Sequence, residues 1–478
     1  MSGFQIIFSI FTLLYVLWVL SVLFLERRRE ASMASWLLIF ILLPFVGFAV
    51  YAIFGRDLSK RKVFRLYQAE EELRKELSAA NLAAYGEKRQ AIRQNLRDRT
   101  EVLDFTSRLS PAGLSFDNQV QIFTDGREKF KAFMEDLRQA NREIHILTFI
   151  YQGDGLGGEL RQLLVEKARE GVKVRLLLDH FGSFGVSHGY FQELEEAGGR
   201  VYFSFPIRPG NLQLNNRNHR KITIIDGHTA YIGGFNVGDE YLGLSRKRGY
   251  WRDTHLRIQG SSVIDLQTRF ILDWRNAGGE DLVLDGRFFP EAEAQGEAAV
   301  QILSSGPDSQ LEEIKLTYLE IISRARDYIY FQTPYFVPDE AMLEALRIAL
   351  IKGVDVRLMI PDKKDHAFVY WATYSYIGDL LPLGLKAYAY ENGFLHAKTM
   401  VVDGKISSVG SANFDKRSFR LSFETNAFIF NSGFGKIMKD VFLEDQKHSR
   451  EITVETYGAR PLHVRIREPI SRLISPIL

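Results

Sequence analysis

The chain of 478 residues contains no cysteine, which excludes disulfides, thiolate nucleophiles and cysteine-ligated zinc or iron–sulfur centres together. It also lacks an excess of either charge. Lysine and arginine number 61 against 59 acidic residues, a formal net charge of +2. A protein that tracks nucleic acid wants a strongly basic face, so no nucleic-acid partner is expected. Apolar residues are not scarce: 46% of the chain is hydrophobic and 25% charged, an ordinary globular balance. The length suffices for two or three domains.

Two stretches lack charge altogether. Phe4 to Leu25 and Met33 to Phe54 are each 22 residues without a charged side chain. As helices each would reach roughly 33 Å, enough to cross a hydrocarbon core of about 30 Å. The first has no basic leader and no small-residue cleavage site, unlike a signal peptide. The pattern predicts a two-helix transmembrane hairpin within residues 1–60, with Pro44 and Gly47 kinking the second helix. Arg27, Arg28 and Arg29 lie in the connection. Arg56, Lys60, Arg61, Lys62 and Arg65 follow the hairpin, so the positive-inside rule favours five against three and puts the C-terminal bulk in the cytoplasm. The expected location is therefore the cell membrane, as a multi-pass protein. Residues 61–110 alternate in charge, as in Glu71, Glu72, Arg74, Lys75 and Glu76, and read as a solvated helical linker.

Beyond the linker the chain repeats itself. Val120-Gln121-Ile122 recurs as Val300-Gln301-Ile302, 180 residues on. Glu143 to Thr148 recurs as Tyr328 to Thr333, and Gly171 to Leu176 as Gly353 to Leu358. Between the last two segments of each copy lies a helical spacing of apolar residues: Leu160, Leu163, Leu164 and Ala168, then Leu343, Leu346 and Leu350. Strand, helix, glycine, strand is the pattern of a βαβ unit. The prediction is α/β, with two tandem domains of similar fold at 111–290 and 291–478 forming one pseudo-symmetric unit.

The most informative repeat is His219-Arg220-Lys221, Asp226 and Gly233-Gly234-Phe235-Asn236. It returns as His396-Ala397-Lys398, Asp403 and Gly410-Ser411-Ala412-Asn413, with an offset of 177 at His, Lys, Asp and Asn alike. Apolar, β-rich residues follow each His-x-Lys, so the sequence predicts a strand on which His and Lys project from the same face. Phosphodiester transfer needs a nucleophile, a proton donor for the leaving alkoxide and cations over the non-bridging oxygens. One histidine can attack phosphorus and the other can exchange protons near neutral pH. Two lysines supply the positive charge, and each aspartate can orient an imidazole. Neither a metal nor another cofactor is required by this set. A lone His-x-Lys is mostly surface decoration; six residue types in register twice are not.

These two motifs resemble the His-x-Lys-x4-Asp-x6-Gly-Ser-x-Asn pattern of the phospholipase D superfamily. Gly234 departs from it where the pattern has serine. More narrowly, the chain resembles bacterial cardiolipin synthases, through Asn218 to Lys221, Tyr250-Trp251-Arg252-Asp253, Ser305-Gly306-Pro307-Asp308, Thr333-Pro334-Tyr335-Phe336, Gly393 to Lys398, Asn413-Phe414-Asp415 with Arg417-Ser418, and Phe423-Glu424. The resemblance runs from the hairpin to Arg472-Leu473-Ile474-Ser475-Pro476. It implies reversible phosphatidyl transfer between two phosphatidylglycerols at a bilayer, giving cardiolipin and glycerol through a phosphatidyl-histidine and without metal. By that resemblance the catalytic set is His219, Lys221, Asp226, His396, Lys398 and Asp403, with Asn236, Ser411 and Asn413 as phosphate contacts. His219 takes the role of nucleophile and His396 that of acid and base, although the repeats alone leave the two interchangeable.

The motifs do not distinguish water or another acceptor from a glycerol hydroxyl, so a hydrolase or another head-group transferase uses the same residues. A nuclease of the superfamily is the remaining enzymatic alternative, opposed by the hairpin and the balanced charge. Phe368 to Tyr376 is aromatic-rich and reads either as a lipid-facing segment or as an ordinary packed helix. Val464 to Leu478 interleaves Arg465, Arg467 and Arg472 with apolar residues, and Pro469 is expected to break any helix there.

Overall fold

A computed structural model of the chain describes residues 3–25, 36–37, 39–41, 43, 46–47, 51, 100–109, 113–206, 216–282, 288, 295–307, 309 and 311–475. The first uncharged stretch forms one helix, Gly3–Leu25. The second is described only in part, and Pro44 and most of the 61–110 segment lie outside the described residues. The two stretches touch. The Tyr15 hydroxyl donates to the Phe40 carbonyl at 2.9 Å, and Val19, Trp36, Phe40 and Tyr51 form a small buried cluster. Among the described residues no membrane-spanning helix is established.

The rest is organised on one sixteen-stranded sheet. Its first half consists of β1 (Leu114–Asp125), β2 (Glu143–Thr148), β3 (Lys173–Asp179), β4 (Arg200–Ser204), β5 (Ile222–Ile225), β6 (Thr229–Gly233) and β7 (Trp251–Gln259). The second half brings β8 (Ala298–Ser305), β9 (Tyr328–Gln332), β11 (Asp355–Pro361), β12 (Lys386–Tyr390), β13 (Phe394–Leu395), β14 (Thr399–Val402), β15 (Ile406–Gly410), β17 (Glu424–Phe430) and β18 (Ser449–Ile452), while β10 (Phe336–Val337) and β16 (Phe414–Asp415) pair in a separate two-stranded sheet. The first half runs β1-β7-β6-β5-β2-β3-β4. The second repeats that order as β8-β17-β15-β14-β9-β11-β12, with β18 added at the edge. Antiparallel pairing of β1 with β8 joins the halves. Val120 faces Ile258 and Val300 faces Ile429, so the first sequence repeat occupies one place in both halves.

Each βαβ unit follows from its sequence. The helix Gly155–Arg169 starts where the Asp154 side chain accepts the Gly157 N–H. It buries Leu160, Leu163, Leu164 and Ala168, and the chain turns at Gly171, φ +92°, into β3, parallel to β2. The helix Glu340–Ile351 repeats this with Asp339 as cap, Leu343, Leu346 and Leu350 buried, and Gly353 at φ +84° before β11. One apolar cluster spans both halves, from Leu177 and Leu256 through Val300 to Met359 and Ala427. Each leucine, valine or methionine of the cluster stabilises the fold by roughly 1.5–3 kcal/mol, so the halves share a core as well as a sheet.

Two C-terminal expectations are resolved. The aromatic-rich segment is the helix Ala367–Leu380, and Ala372, Thr373, Tyr376 and Ile377 are buried in it while Phe368 is exposed. The chain end is one helix, Leu462–Ile474, that runs through Pro469, contrary to the expected break. Contacts with the helix Ala367–Leu380 hold it: Arg472 pairs with Asp379 at 2.7 Å, and the Tyr376 and Ser475 hydroxyls lie 3.3 Å apart.

Candidate active site

Each His-x-Lys segment enters the sheet one residue ahead of a strand, not on it as the alternation suggested: β5 begins at Ile222 and β14 at Thr399. Contacts with the opposite half fix both segments. The His219 N–H donates to the Phe423 carbonyl at 3.0 Å, and the His396 N–H to the Arg252 carbonyl at 2.7 Å. Lys221 Nζ donates to the His219 carbonyl, and Lys398 Nζ to that of His396. The four side chains meet in one cavity of about 640 Å³, whose apolar walls include Phe149, Phe181, Trp251 and Val369.

The aspartates of the motif are elsewhere. Asp226 sits at φ +53° in the turn after β5, and its carboxylate accepts the N–H groups of Asn141, Arg142 and Glu143, each at 2.8 Å. Asp403, at φ +51°, does the same for Arg326, Asp327 and Tyr328 at 3.1, 2.8 and 2.8 Å. Both anchor the start of a neighbouring strand, and neither is placed at an imidazole. Their assignment as imidazole-orienting acids is therefore corrected.

The carboxylates that do meet the imidazoles are Asp253 and Glu424, and they cross between halves. Asp253 Oδ2 lies 2.6 Å from His396 Nδ1, and Glu424 Oε1 lies 3.3 Å from His219 Nδ1. Gly233 pairs with His255 and Gly410 with Asn426, so the two acids stand at equivalent positions, two residues before those partners. The sequence carried a signal: Asp253-Thr254 recurs as Glu424-Thr425. This geometry also explains Gly234. A Cβ there would lie 1.9 Å from Asp253 Oδ1, so the carboxylate fills the space a serine needs. The counterpart Ser411 lines the cavity, but its hydroxyl already accepts the Thr425 N–H at 3.0 Å. Asn236 also lines it, holding the Ile150 N–H at 3.1 Å and the Tyr241 hydroxyl at 3.1 Å. Asn413 lines it with a buried side-chain oxygen that has no hydrogen-bond partner among the described residues.

Burial dominates the electrostatics. It lowers the proton affinity of His219 against the pull of Glu424. Burial, then repulsion from Lys398, brings His396 down to about 4 in spite of Asp253. Asp253 itself is pushed up by burial, but Lys398 and His396 outweigh this and hold it below the usual carboxylate range. Burial lowers Lys221 to about 8 and Lys398 to about 7. The cavity thus presents two neutral imidazoles, each with an acid behind it, between two ammonium groups weakened by desolvation. An entering anion restores those ammonium charges.

A pH dependence follows. Both lysines must be protonated to hold an anion, and both have lowered proton affinity. The kcat/KM, which reports the free enzyme, is expected to fall as pH rises through about 7 to 8. Lys398→Arg keeps its charge there and is expected to move the decline to higher pH. A profile flat from pH 6 to pH 9 would contradict the role of the two ammonium groups.

Comparison with known proteins gives the family. The family described as "Cardiolipin synthase, PLD-like domain" matches residues 133–249 and 318–446, and "Phospholipase_D-nuclease N-terminal" matches 13–56. The chain is 48% identical to the major cardiolipin synthase ClsA of Bacillus subtilis over 487 aligned residues, covering 100% of both chains. It is 45% identical to a cardiolipin synthase of Listeria welshimeri, covering 98% of this chain and 99% of the relative. Among solved structures, a phosphatidylserine synthase of Haemophilus influenzae superposes with TM-score 0.61 at 16% identity, over 79% of this chain and 100% of the other, a likeness of fold.

Proposed function

The chain belongs to the bacterial cardiolipin synthases of the phospholipase D superfamily, and from that premise we propose that it joins two phosphatidylglycerols into cardiolipin with release of glycerol. The observation that carries the mechanism is the pair of imidazoles in one cavity, each backed at Nδ1 by a carboxylate from the other half. With Nδ1 engaged, Nε2 of each ring is left for chemistry. His219 Nε2 attacks the phosphorus of the first lipid and the bond to glycerol breaks. His396 gives its proton to the departing glycerol oxygen. The neutral His396 then takes the proton of a hydroxyl on the second lipid, that oxygen attacks phosphorus, and the bond to His219 breaks. Each step reverses.

His396 must carry a proton to act first as acid. Burial, and then Lys398, oppose that. A phosphodiester anion over Lys398 offsets the repulsion, and together with the ionised Asp253, 2.6 Å away, it works against the burial that lowers the ring's proton affinity. Lys221 and Lys398 supply the positive charge that faces the non-bridging oxygens.

With phosphatidylglycerol as the only lipid, free glycerol is expected to appear in step with cardiolipin, one for one. Phosphatidic acid as the main product, measured by mass spectrometry, would make water the acceptor and the protein a hydrolase.

We further propose that the two uncharged stretches anchor the enzyme as a membrane hairpin with its catalytic halves in the cytoplasm. The contact between Tyr15 and Phe40 and the family match over residues 13–56 support this. A C-terminal reporter that works only outside the cytoplasm is expected to stay silent; strong signal would reverse the orientation.

A further inference from the structure

The C-terminal helix, Leu462–Ile474, is amphipathic with its faces inverted. A helix on the surface of a globular protein turns its apolar side inward and its polar side outward. Here Leu462, Ile466 and Ile470, four residues apart, form one stripe within an arc of about 80°. All three face outward, between 51 and 70% exposed. The opposite arc holds Glu468, Ser471 and, at the cap, Ser475, and these are buried. The polar face is well partnered. Glu468 pairs with Arg460 at 3.1 Å and accepts the Tyr457 hydroxyl at 3.2 Å, and Arg472 pairs with Asp379. The helix is thus seated by its polar side and presents its apolar side to the surroundings.

That stripe stands beside the catalytic cavity. Ser475 lines the cavity, and so do Val369 and Ala372 of the helix Ala367–Leu380, on which the C-terminal helix packs. Phe368 of that helix is exposed. The first half matches it. Phe181 follows β3 as Phe368 follows β11, and it lines the cavity; Phe184, close behind it in the chain, is 86% exposed. Both halves therefore carry exposed aromatic side chains past the C-terminal ends of their parallel strands. Phe149 and Tyr335 reach into the cavity from that same edge. Cations border the group. Arg465 and Arg467 are exposed on either side of the stripe, and Arg467 and Lys364 lie 5.9 and 4.0 Å from the Trp371 ring.

We propose that this face docks on the anionic leaflet of the bilayer, with Leu462, Ile466, Ile470, Phe368 and Phe184 at the level of the upper acyl chains and the arginines at the headgroup phosphates. The hairpin holds the enzyme at the membrane, and this second contact orients it. Docking sets the cavity against the leaflet, so the phosphatidylglycerol named above as substrate brings its phosphate to the histidines while its acyl chains stay in the bilayer; to that extent the surface rests on the proposed function. An outward apolar stripe needs a nonaqueous partner, and the cations beside it choose among the candidates. A second copy of this face would set like charge against like. An anionic leaflet complements them.

Because the chain contains no cysteine, an introduced one reports its own site alone. Full-length Ile470→Cys and Lys352→Cys are labelled with bimane and reconstituted into vesicles containing phosphatidylglycerol. Lys352 is exposed just before β11, at the opposite edge of the sheet from Phe368. Lipids brominated on their acyl chains are expected to quench the label at position 470 by roughly half or more and to leave the label at 352 bright. Iodide in the water is expected to do the reverse. In vesicles of phosphatidylcholine alone the acyl-chain quenching at 470 is expected to weaken, and quenching left unchanged there would overturn the part assigned to the arginines. Equal quenching by iodide at the two sites, with none from the brominated chains, would overturn the docking. A label at 470 shielded from iodide yet beyond the reach of bromine would put protein on the stripe, a second copy included, and overturn it as well. Should Ile470→Cys not fold, Leu462→Cys, the most exposed position of the stripe, carries the same comparison. A labelled enzyme that docks but makes phosphatidic acid in place of cardiolipin would overturn the proposed function and leave the docking surface standing.

Discussion

Asp253→Asn is expected to lower turnover by roughly 10³–10⁴-fold, as removal of an acid behind a catalytic imidazole does. The carboxylate lies 2.6 Å from His396 Nδ1, is fully buried, and is held ionised by Lys398 and His396. An amide there no longer stabilises the imidazolium and can impose the wrong tautomer. Glu424→Gln, at 3.3 Å from His219 Nδ1, is expected to cost roughly 10²–10⁴-fold. The motif aspartates give the contrast. Asp226→Asn keeps a side chain that tolerates positive φ but loses charge-assisted bonds to three N–H groups. It is expected to reduce stability by about 1–3 kcal/mol and leave kcat within a few-fold. Melting temperature and single-turnover rate, measured on all three variants, decide the matter. A large loss of kcat in Asp226→Asn at unchanged melting temperature would return that aspartate to the chemistry.

The reversal between these acids shows where sequence is legible. Repeats, glycines and helical spacing are local signals, and they led to the duplicated strand order and both βαβ units. The convergence of His219, Lys221, His396 and Lys398 also followed, because one pattern appears twice. Asp226 misled because it is near in sequence. A four-residue strand, roughly 13 Å long at about 3.3 Å per residue, separates it from Lys221. Asp253 and Glu424 stayed unassigned because each serves the histidine of the other half, and no spacing within one repeat encodes that crossing. Pro469 misled in the other direction: the helix it enters is held by contacts with the helix Ala367–Leu380, including the Arg472–Asp379 pair.

His219→Asn and His396→Asn are each expected to abolish turnover, by roughly 10⁴-fold or more, because residues that act as one unit do not contribute additively. Loss of rate alone does not separate nucleophile from acid. The covalent intermediate does. His396→Asn retains the group that attacks phosphorus and its Glu424 partner, but has nothing to protonate the leaving oxygen or to activate the acceptor. It is expected to accumulate a phosphatidyl-enzyme slowly and fail to discharge it. His219→Asn is expected to form none.

The direct measurement is rapid quench of the active enzyme and of His396→Asn with labelled phosphatidylglycerol, followed by peptide mapping under conditions that preserve a phosphorus–nitrogen bond. The account predicts a phosphatidyl adduct on His219, transient in the active enzyme and persistent in the variant. An adduct confined to His396 in the active enzyme would reverse the two roles, and active enzyme with no adduct on either histidine would contradict covalent transfer altogether.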